Sequence, residues 1–440
     1  MVVAYRGRVL AGVAAAALAF FLSPSLGRAQ DDGLPGRDPR LPEFSAPVQP
    51  RPQEVRLSYR FNLSHPGHIE RENIASLSMA ATDAIHWAMQ DEADDPFYYR
   101  IPKWGAAFVI DTAVRYVSHE YGHLSSFSKA GYQNAVFGDK DEIDTSAPRA
   151  SFGKMLLNGF NPWDNSAVSI SQEDWDRIVD DFGGDEERLR RFRIVIKAGG
   201  LNQEAVNLER YSERLYEGRL SYLDSAPFIV SGAAVLRYPT GVELSDTGDY
   251  IEELRNSGLH TTAGRVHTLS ALTLLSGSML AAFRGTFLGI FTQRGGWVEA
   301  ISVSPTEHVL VFAPELENFL SQYGPTLKPT LPVRIHDILI KPSYEQLFIT
   351  GKTMGEAGLT VRAPLASFLA LTGGGFRNSS GGHWIEGGVE LLPLQWLAFT
   401  IGYARSQDYS FHRDVYGATT DLLRRREGSL LLGLAAFHDF

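Results

Sequence analysis

From residue 356 to the end of the chain, apolar and polar side chains alternate with a period of two. In 356–365, Ala357, Leu359, Val361, Ala363 and Leu365 oppose Glu356, Gly358, Thr360, Arg362 and Pro364. In 385–391, Ile385, Gly387, Val389 and Leu391 oppose Glu386, Gly388 and Glu390. In 396–405, Leu397, Phe399, Ile401 and Tyr403 oppose Trp396, Ala398, Thr400, Gly402 and Ala404. Successive side chains of a strand point to opposite faces, so each segment predicts a β-strand with one apolar face. Shorter β-type segments precede them at 297–304, 308–314, 333–341 and 345–350, giving eight to ten candidate strands. EVRLSYRFNL (54–63) alternates in the same way and is expected to pair with the C-terminal sheet. Between 70 and 292 the apolar positions instead recur at helical spacing, in 70–92, 104–128, 172–198, 201–222 and 266–291. Gly-Gly pairs at 183–184, 199–200 and 295–296 punctuate that region. The expected fold class is α+β: a mainly helical domain over 54–295, then an antiparallel β region over 296–440.

The last strand ends on Phe440, with Phe440, Ala436, Leu434, Leu432 and Leu430 on one face and His438 as the exception. An alternating apolar strand closed by a terminal Phe resembles the final strand of bacterial outer-membrane β-barrels. That resemblance implies a small barrel of eight to ten strands with outer-membrane lipid as its partner, in a Gram-negative-type bacterium. The links around Ala366 and Pro393-Leu394 are short while 406–427 is long and polar, the asymmetry such barrels show between their two sides. Trp384, Trp396 and Tyr403 fall near strand ends, where interfacial aromatics are common. A soluble sheet with one face on a core is the alternative, because alternation alone does not distinguish lipid from protein. The N-terminus is consistent with export. Arg6 and Arg8 precede the apolar run VLAGVAAAALAFFL, and the small residues Gly27 and Ala29 stand at −3 and −1 from Gln30. Residues 1–29 are therefore expected to be a signal peptide, with a retained anchor as the alternative. Six prolines in 30–53 mark a linker.

Inside the helical region lies His119-Glu120-Tyr121-Gly122-His123, within the proline-free stretch WGAAFVIDTAVRYVSHEYGHL (104–124). Positions i and i+4 of a helix share a face, so both imidazoles can reach one ion, and Glu120 leans toward the same place. Gly122 removes a side chain where a metal or substrate would approach closely. Two hydrogen-bonded histidines on a buried helix would present the same spacing without a metal. The segment resembles the active-site helix of the zincin metallopeptidases. The resemblance implies Zn2+ held by His119 and His123, Glu120 as general base, and a polypeptide substrate. Metzincins carry a Gly and a His at positions that here hold Ser126 and Lys129, so that branch does not apply. A gluzincin-like site takes a Glu from a second helix, and the best match is Glu204 in AGGLNQEAVN (198–207). Gly199 and Gly200 open that helix and would let it pack closely on the first. Glu142, Glu209, His260 and His267 are the other candidates; Glu142 sits in the polar stretch GDKDEIDTS. Asn202, Gln203 and Asn207 could orient ligands, with helix capping the role expected first for Asn202.

Composition narrows the alternatives. There is no cysteine, which excludes disulfides, a thiol nucleophile and a lipidated N-terminal cysteine. A net charge of −10 argues against a nucleic-acid partner, since phosphate neutralisation requires a basic surface. Arg424-Arg425-Arg426 in the long loop reads as a solvated basic loop or a contact to lipopolysaccharide. Segment 266–291 is long and apolar; Arg284, His267 and its Ser, Thr and Gly content make it a buried core helix rather than a membrane span. Were it to insert, the chain would resemble site-2-type intramembrane proteases. The remaining alternative is a non-catalytic outer-membrane protein, a channel or assembly factor, whose histidine helix packs without metal.

Overall fold

The chain begins its described structure with β1 (Glu54–Asn62), followed by α1 (Arg71–Ala88) and the 33-residue α2 (Phe97–Lys129). Then come β2 (Val136–Asp139), α3 (Phe152–Gly159) and β3 (Ser166–Ser169), with β2 and β3 paired antiparallel. Helices α4 (Gln172–Asp181), α5 (Glu186–Lys197), α6 (Gly199–Tyr216), α7 (Ser225–Gly232), α8 (Ala234–Arg237), α9 (Asp246–Asn256), α10 (Ala263–Thr273) and α11 (Gly277–Phe291) follow. The C-terminal part supplies β4 (Val309–Val311), β5 (Glu315–Ser321), β6 (Gly324–Thr330), β7 (Val333–Ile335), β8 (Ile338–Leu347), β9 (Gly355–Ala366), β10 (Leu369–Asn378), β11 (His383–Leu394), β12 (Leu397–Gln407) and β13 (Gly428–Asp439). This computed structural model describes residues 54–63, 69–89, 96–129, 136–139, 152–160, 166–170, 172–238, 245–291, 298–302, 309–351, 353–366, 368–394, 397–407 and 428–439, all within the unit from Pro50 to Phe440. The expected signal peptide and linker, Glu142, the 424–426 arginines, Trp396 and Phe440 lie outside the described residues.

The α+β class is as the periodicities require, and β1 pairs with β13 as its alternation predicts, Tyr59 opposite Leu434 and Phe61 opposite Leu432. The sheet differs from expectation in two respects. It has eleven strands, because β5, β6 and β10 add to the expected segments and 333–341 divides between β7 and β8, while 297–304 contributes only an isolated bridge from Ser302 to Phe312. Among the described residues it also does not close: the order runs β1-β13-β12-β11-β10-β9-β8-β6-β5, with β7 joining β4 to β8. Side chains from helices occupy the two edges instead. The Ser58 amide of β1 donates to Ser76 Oγ of α1 at 2.7 Å. At β5, Asn202 of α6 donates to Leu320 O at 2.9 Å and accepts from Leu320 N at 2.8 Å, as a neighbouring strand would. Asn202 is thus an edge partner rather than a helix cap.

The outer face of this sheet is largely apolar, and its inner face mixes charged and polar groups with Ala370, Phe376, Ala398 and Ala435. Pairing aligns Phe61, Leu432, Ile401, Val389, Leu371 and Ala363 in one outward row across β1, β13, β12, β11, β10 and β9. Rows beginning Tyr59–Leu434–Phe399 and Leu430–Tyr403 flank it, and the large outer side chains are exposed, Ile401 by 53% and Tyr403 by 50%. The inner face carries Lys341, Thr360, Arg362, Glu386 and Glu390, turned toward α1 and α6. Lys341 Nζ reaches Glu213 at 2.6 Å, and Arg362 pairs with Glu217, so the helices are held to the sheet by charge. A cavity of ≈280 Å3 lies between them.

Apolar burial is concentrated among the helices. Phe192, Ile178, Phe182 and Met155 form one cluster; Tyr211, Leu215, Phe228 and Met279 form another. Two expected helices prove broken. The 172–198 segment divides into α4 and α5 because Gly183 and Gly184 take φ of 62° and 78°, which suits glycine. The 266–291 segment divides into α10 and α11, bent by 59°. Gly277 starts α11 where a Cβ would meet Ala313 O at 2.5 Å. No single described helix is long and apolar enough to cross a membrane.

Candidate metal centre

His119 and His123 project from the C-terminal half of α2, one turn apart, at the place where α6 crosses it. The crossing is made close by glycines. A Cβ on Gly200 would lie 2.3 Å from His119 Nε2, and one on Gly122 would lie 2.6 Å from Gly199 O. Gly199 and Gly200 therefore act as their positions suggest. Gly122 admits the neighbouring helix backbone rather than opening room for a metal or substrate. Arg71, fully buried, clamps the crossing by donating to Gly199 O and, at 3.0 Å, to Ser126 Oγ.

The carboxylate that meets the two imidazoles is Asp246. Its Oδ2 lies 2.6 Å from His119 Nε2 and 3.3 Å from His123 Nε2. One ligand atom from each of the three residues falls within 4.8 Å of the others. Asp246 is the first residue of α9, and its position is fixed by Ser245, whose Oγ accepts from Gly248 N at 3.0 Å. Tyr238 stacks on His119 with ring centroids 5.3 Å apart and brings its hydroxyl to 3.1 Å from His119 Nε2. Glu120 is buried on the same turn, and its Oε2 accepts from Val168 N of β3 at 3.2 Å.

The hydrogen-bond pattern tests whether a cation fits. His123 Nδ1 is 2.7 Å from Ile196 O at the end of α5, and a carbonyl can only accept, so Nδ1 carries the proton. In the neutral ring Nε2 then offers its lone pair toward Asp246, itself an acceptor. Acceptors converging on one point require a proton or a cation between them. Two imidazoles and a carboxylate are a donor set suited to Zn2+. The electrostatics favour positive charge at this point, whether carried by a proton or by an ion. Burial would raise the Asp246 carboxyl, but the charge of His123 and hydrogen bonds from both histidines hold it well below the usual range. Burial opposes a proton on His123, yet Asp246 and Glu120 outweigh it and pull that imidazole upward. Burial pushes the Glu120 carboxyl up, with His123 and His119 opposing, which moves it toward the range of a working base.

The other candidates lie elsewhere. Glu204, the third donor expected on a gluzincin-like pattern, does not join the cluster: its Oε2 accepts from Ser231 Oγ of α7 at 2.7 Å and from Asn207 Nδ2 at 3.3 Å. The glycines that seat α6 against α2 lie at its first turn, and the acid one turn later is turned to α7. Glu209 pairs with Lys328 at 3.4 Å across the inner face of the sheet. His267 bonds Tyr238 O at 3.2 Å and so steadies a residue of the centre rather than joining it. His260 offers its carbonyl to Thr350 N. Asn207 holds Ser118, the neighbour of His119, at 3.0 Å, and Gln203 donates to Arg71 O at 3.1 Å, so both brace the helix crossing. Asp246 and Tyr238 were not singled out by the sequence. An acid in the first turn of a helix is commonplace, so Asp246 looks like ordinary dipole compensation. No family model, curated protein or solved structure matches this chain.

Proposed function

We propose that the protein is an exported zinc metallopeptidase of the outer membrane, hydrolysing polypeptides at the His119–His123–Asp246 centre. The observation that carries this reading is the convergence of both Nε2 atoms on Asp246 Oδ2, with the buried Glu120 carboxyl on the adjoining position of the same helix turn. His119, His123 and Asp246 would hold the ion, which when bound supplies Lewis acidity toward water and the scissile carbonyl. Glu120, its carboxyl raised by burial and held by the Val168 amide, takes the proton from the attacking water and delivers it to the leaving amine. Ile196 fixes the His123 tautomer that leaves Nε2 free to ligate. Tyr238 places a hydroxyl beside His119, where it can donate to charge developing on the substrate. Membrane residence is supported by the uncharged outer rows of the sheet, which suit acyl chains, and by the polar inner face, which suits a barrel lumen.

Metal analysis and peptide cleavage test the centre together. Purified protein is expected to hold stoichiometric zinc, which His123→Ala and Asp246→Asn lose. Glu120→Gln is expected to keep the zinc while cleavage falls by about a hundredfold or more. Zinc retained in full by Asp246→Asn would remove that residue from the centre. A second reading, a non-catalytic channel or assembly factor, draws on the ≈280 Å3 polar cavity between α1, α6 and the sheet. Metal-free protein that still occupies the outer membrane would favour it.

A further inference from the structure

The sheet ends on helices at both edges, and the helices continue around the gap between those edges. α1 packs on β1, α2 on α1, and α11 on α2, where Arg100 donates to Gly289 O at 2.9 Å. α10, joined to α11, packs on β5. The exposed residues of α1, of α11 and of α2 from Tyr98 to Val109 are uncharged, and Glu72, Lys103 and Arg284 are half-buried. Leu77 and Trp87 face out from α1, Ile101 and Val109 from α2, and Phe287 and Phe291 from α11. Arg71, Asp83 and His86 of α1 are buried instead, at 0%, 2% and 0% exposure. A helix on a water-soluble surface shows the opposite arrangement, with its charges outward. The outer face of the sheet is largely apolar as well.

We infer that α1, the N-terminal half of α2 and α11 complete the membrane wall that the open sheet begins, with their outer faces against lipid acyl chains. This inference rests on the membrane reading of the sheet. Hydrocarbon cannot satisfy the backbone groups of an open sheet edge, so whatever caps β1 and β5 must share the sheet's solvent. Helices meet that requirement because they bond their own backbone. The Ser58 amide and hydroxyl both bond Ser76 Oγ, so α1 is fastened directly to the β1 edge. Length agrees as well: the 18 residues of α1 span about 27 Å, against an apolar band of about 25 Å in outer-membrane barrels.

The absence of native cysteine permits a direct test in the full chain. Single variants Ala84→Cys, Val109→Cys and Phe287→Cys, all at exposed positions, are spin-labelled and reconstituted in phosphatidylcholine–phosphatidylglycerol vesicles. Ile401→Cys reports the outer sheet face, and Glu173→Cys on α4 serves as the water reference. Oxygen concentrates in hydrocarbon, whereas a nickel chelate stays in water. The expected ratio of oxygen to nickel accessibility at 84, 109, 287 and 401 is several-fold above that at 173. Nickel-accessible helix labels beside a lipid-exposed Ile401→Cys would overturn the helical wall and leave the membrane reading of the sheet intact. A nickel-accessible Ile401→Cys would overturn both. Helix labels shielded from both reagents would show a protein partner on that face and equally refute the inference. Three independent positions keep the test decisive if one variant fails to fold.

Discussion

The helical core and the sheet solve opposite problems with the same residue types. Around α5 the aromatic and aliphatic side chains are inside, Phe192 at 0% exposure and Ile178 at 0%. On the sheet many of them are outside, and the interior holds Lys328 at 3%, Glu345 at 1% and Glu356 at 1% beside a few apolar groups such as Phe319 and Phe376. In the core, burial of apolar area against protein supplies the stabilisation. Across the sheet interior the holding forces are polar: Lys341 to Glu213, Arg362 to Glu217, Lys328 to Glu317 at 2.6 Å. The contrast shows that apolar alternation marks a two-faced strand without saying which face is the inside of the molecule. The answer comes from what stands opposite each face.

The most severe way to probe the contrast is on the core side. Phe192 packs edge-tilted on Phe182, centroids 5.4 Å apart, within a cluster containing Ile178, Met155 and Val195. Phe192→Ala is expected to destabilise by about 3–5 kcal/mol, from lost burial and the cavity left behind. Denaturant unfolding in detergent checks it; a loss under about 1 kcal/mol would mean the cluster is not the core that the packing implies. Ile401 gives the corresponding test on the sheet. It occupies the middle of three outward apolar rows, between Phe399 and Tyr403. On the proposed membrane reading, Ile401→Arg should cost about 2–4 kcal/mol for folding into vesicles, as a cation does at the midplane of a lipid-facing strand. Should the variant fold as well as the parent in vesicles, the outer face would be meeting water, and its apolar rows would need another cause.

Much of this was legible in the sequence. Alternation in 356–365 and 385–391 is strong because each outward position is apolar or glycine over a full strand, and β1 was recognisable by the same rule. The histidine pair was legible because its spacing is local to one helix. What escaped depends on long-range placement. Asp246 lies far along the chain from His123, and it reaches the centre only because α9 begins beside the α2–α6 crossing. The two glycines before Glu204 do mark the helix that packs on the histidines, but a packing signal does not say where an acid four residues later will turn. Closure was misjudged for a related reason: periodicity counts strands, and nothing in it reveals that an asparagine amide will take the place of a neighbouring strand.

That asparagine provides the mildest of the tests, and it probes the seam where the two regions meet. Asn202 is 3% exposed and Leu320 is 2% exposed, so water has little access to either. The side-chain amide gives a donor to Leu320 O and an acceptor to Leu320 N, matching both backbone groups of the β5 edge at once. Asn202→Ala orphans both of them, and each buried polar group left unmade costs about 1–3 kcal/mol, partly recovered if water enters the space. A net loss of about 1–3 kcal/mol is expected, smaller than either preceding substitution for the same reason. Asn202→Asp separates the two bonds. Its carboxylate still accepts from Leu320 N, but it sets a second oxygen against Leu320 O where a donor stood, so it should be at least as damaging as alanine. Were aspartate tolerated better than alanine, the acceptor alone would be holding the edge, and the likeness to a paired strand would fail.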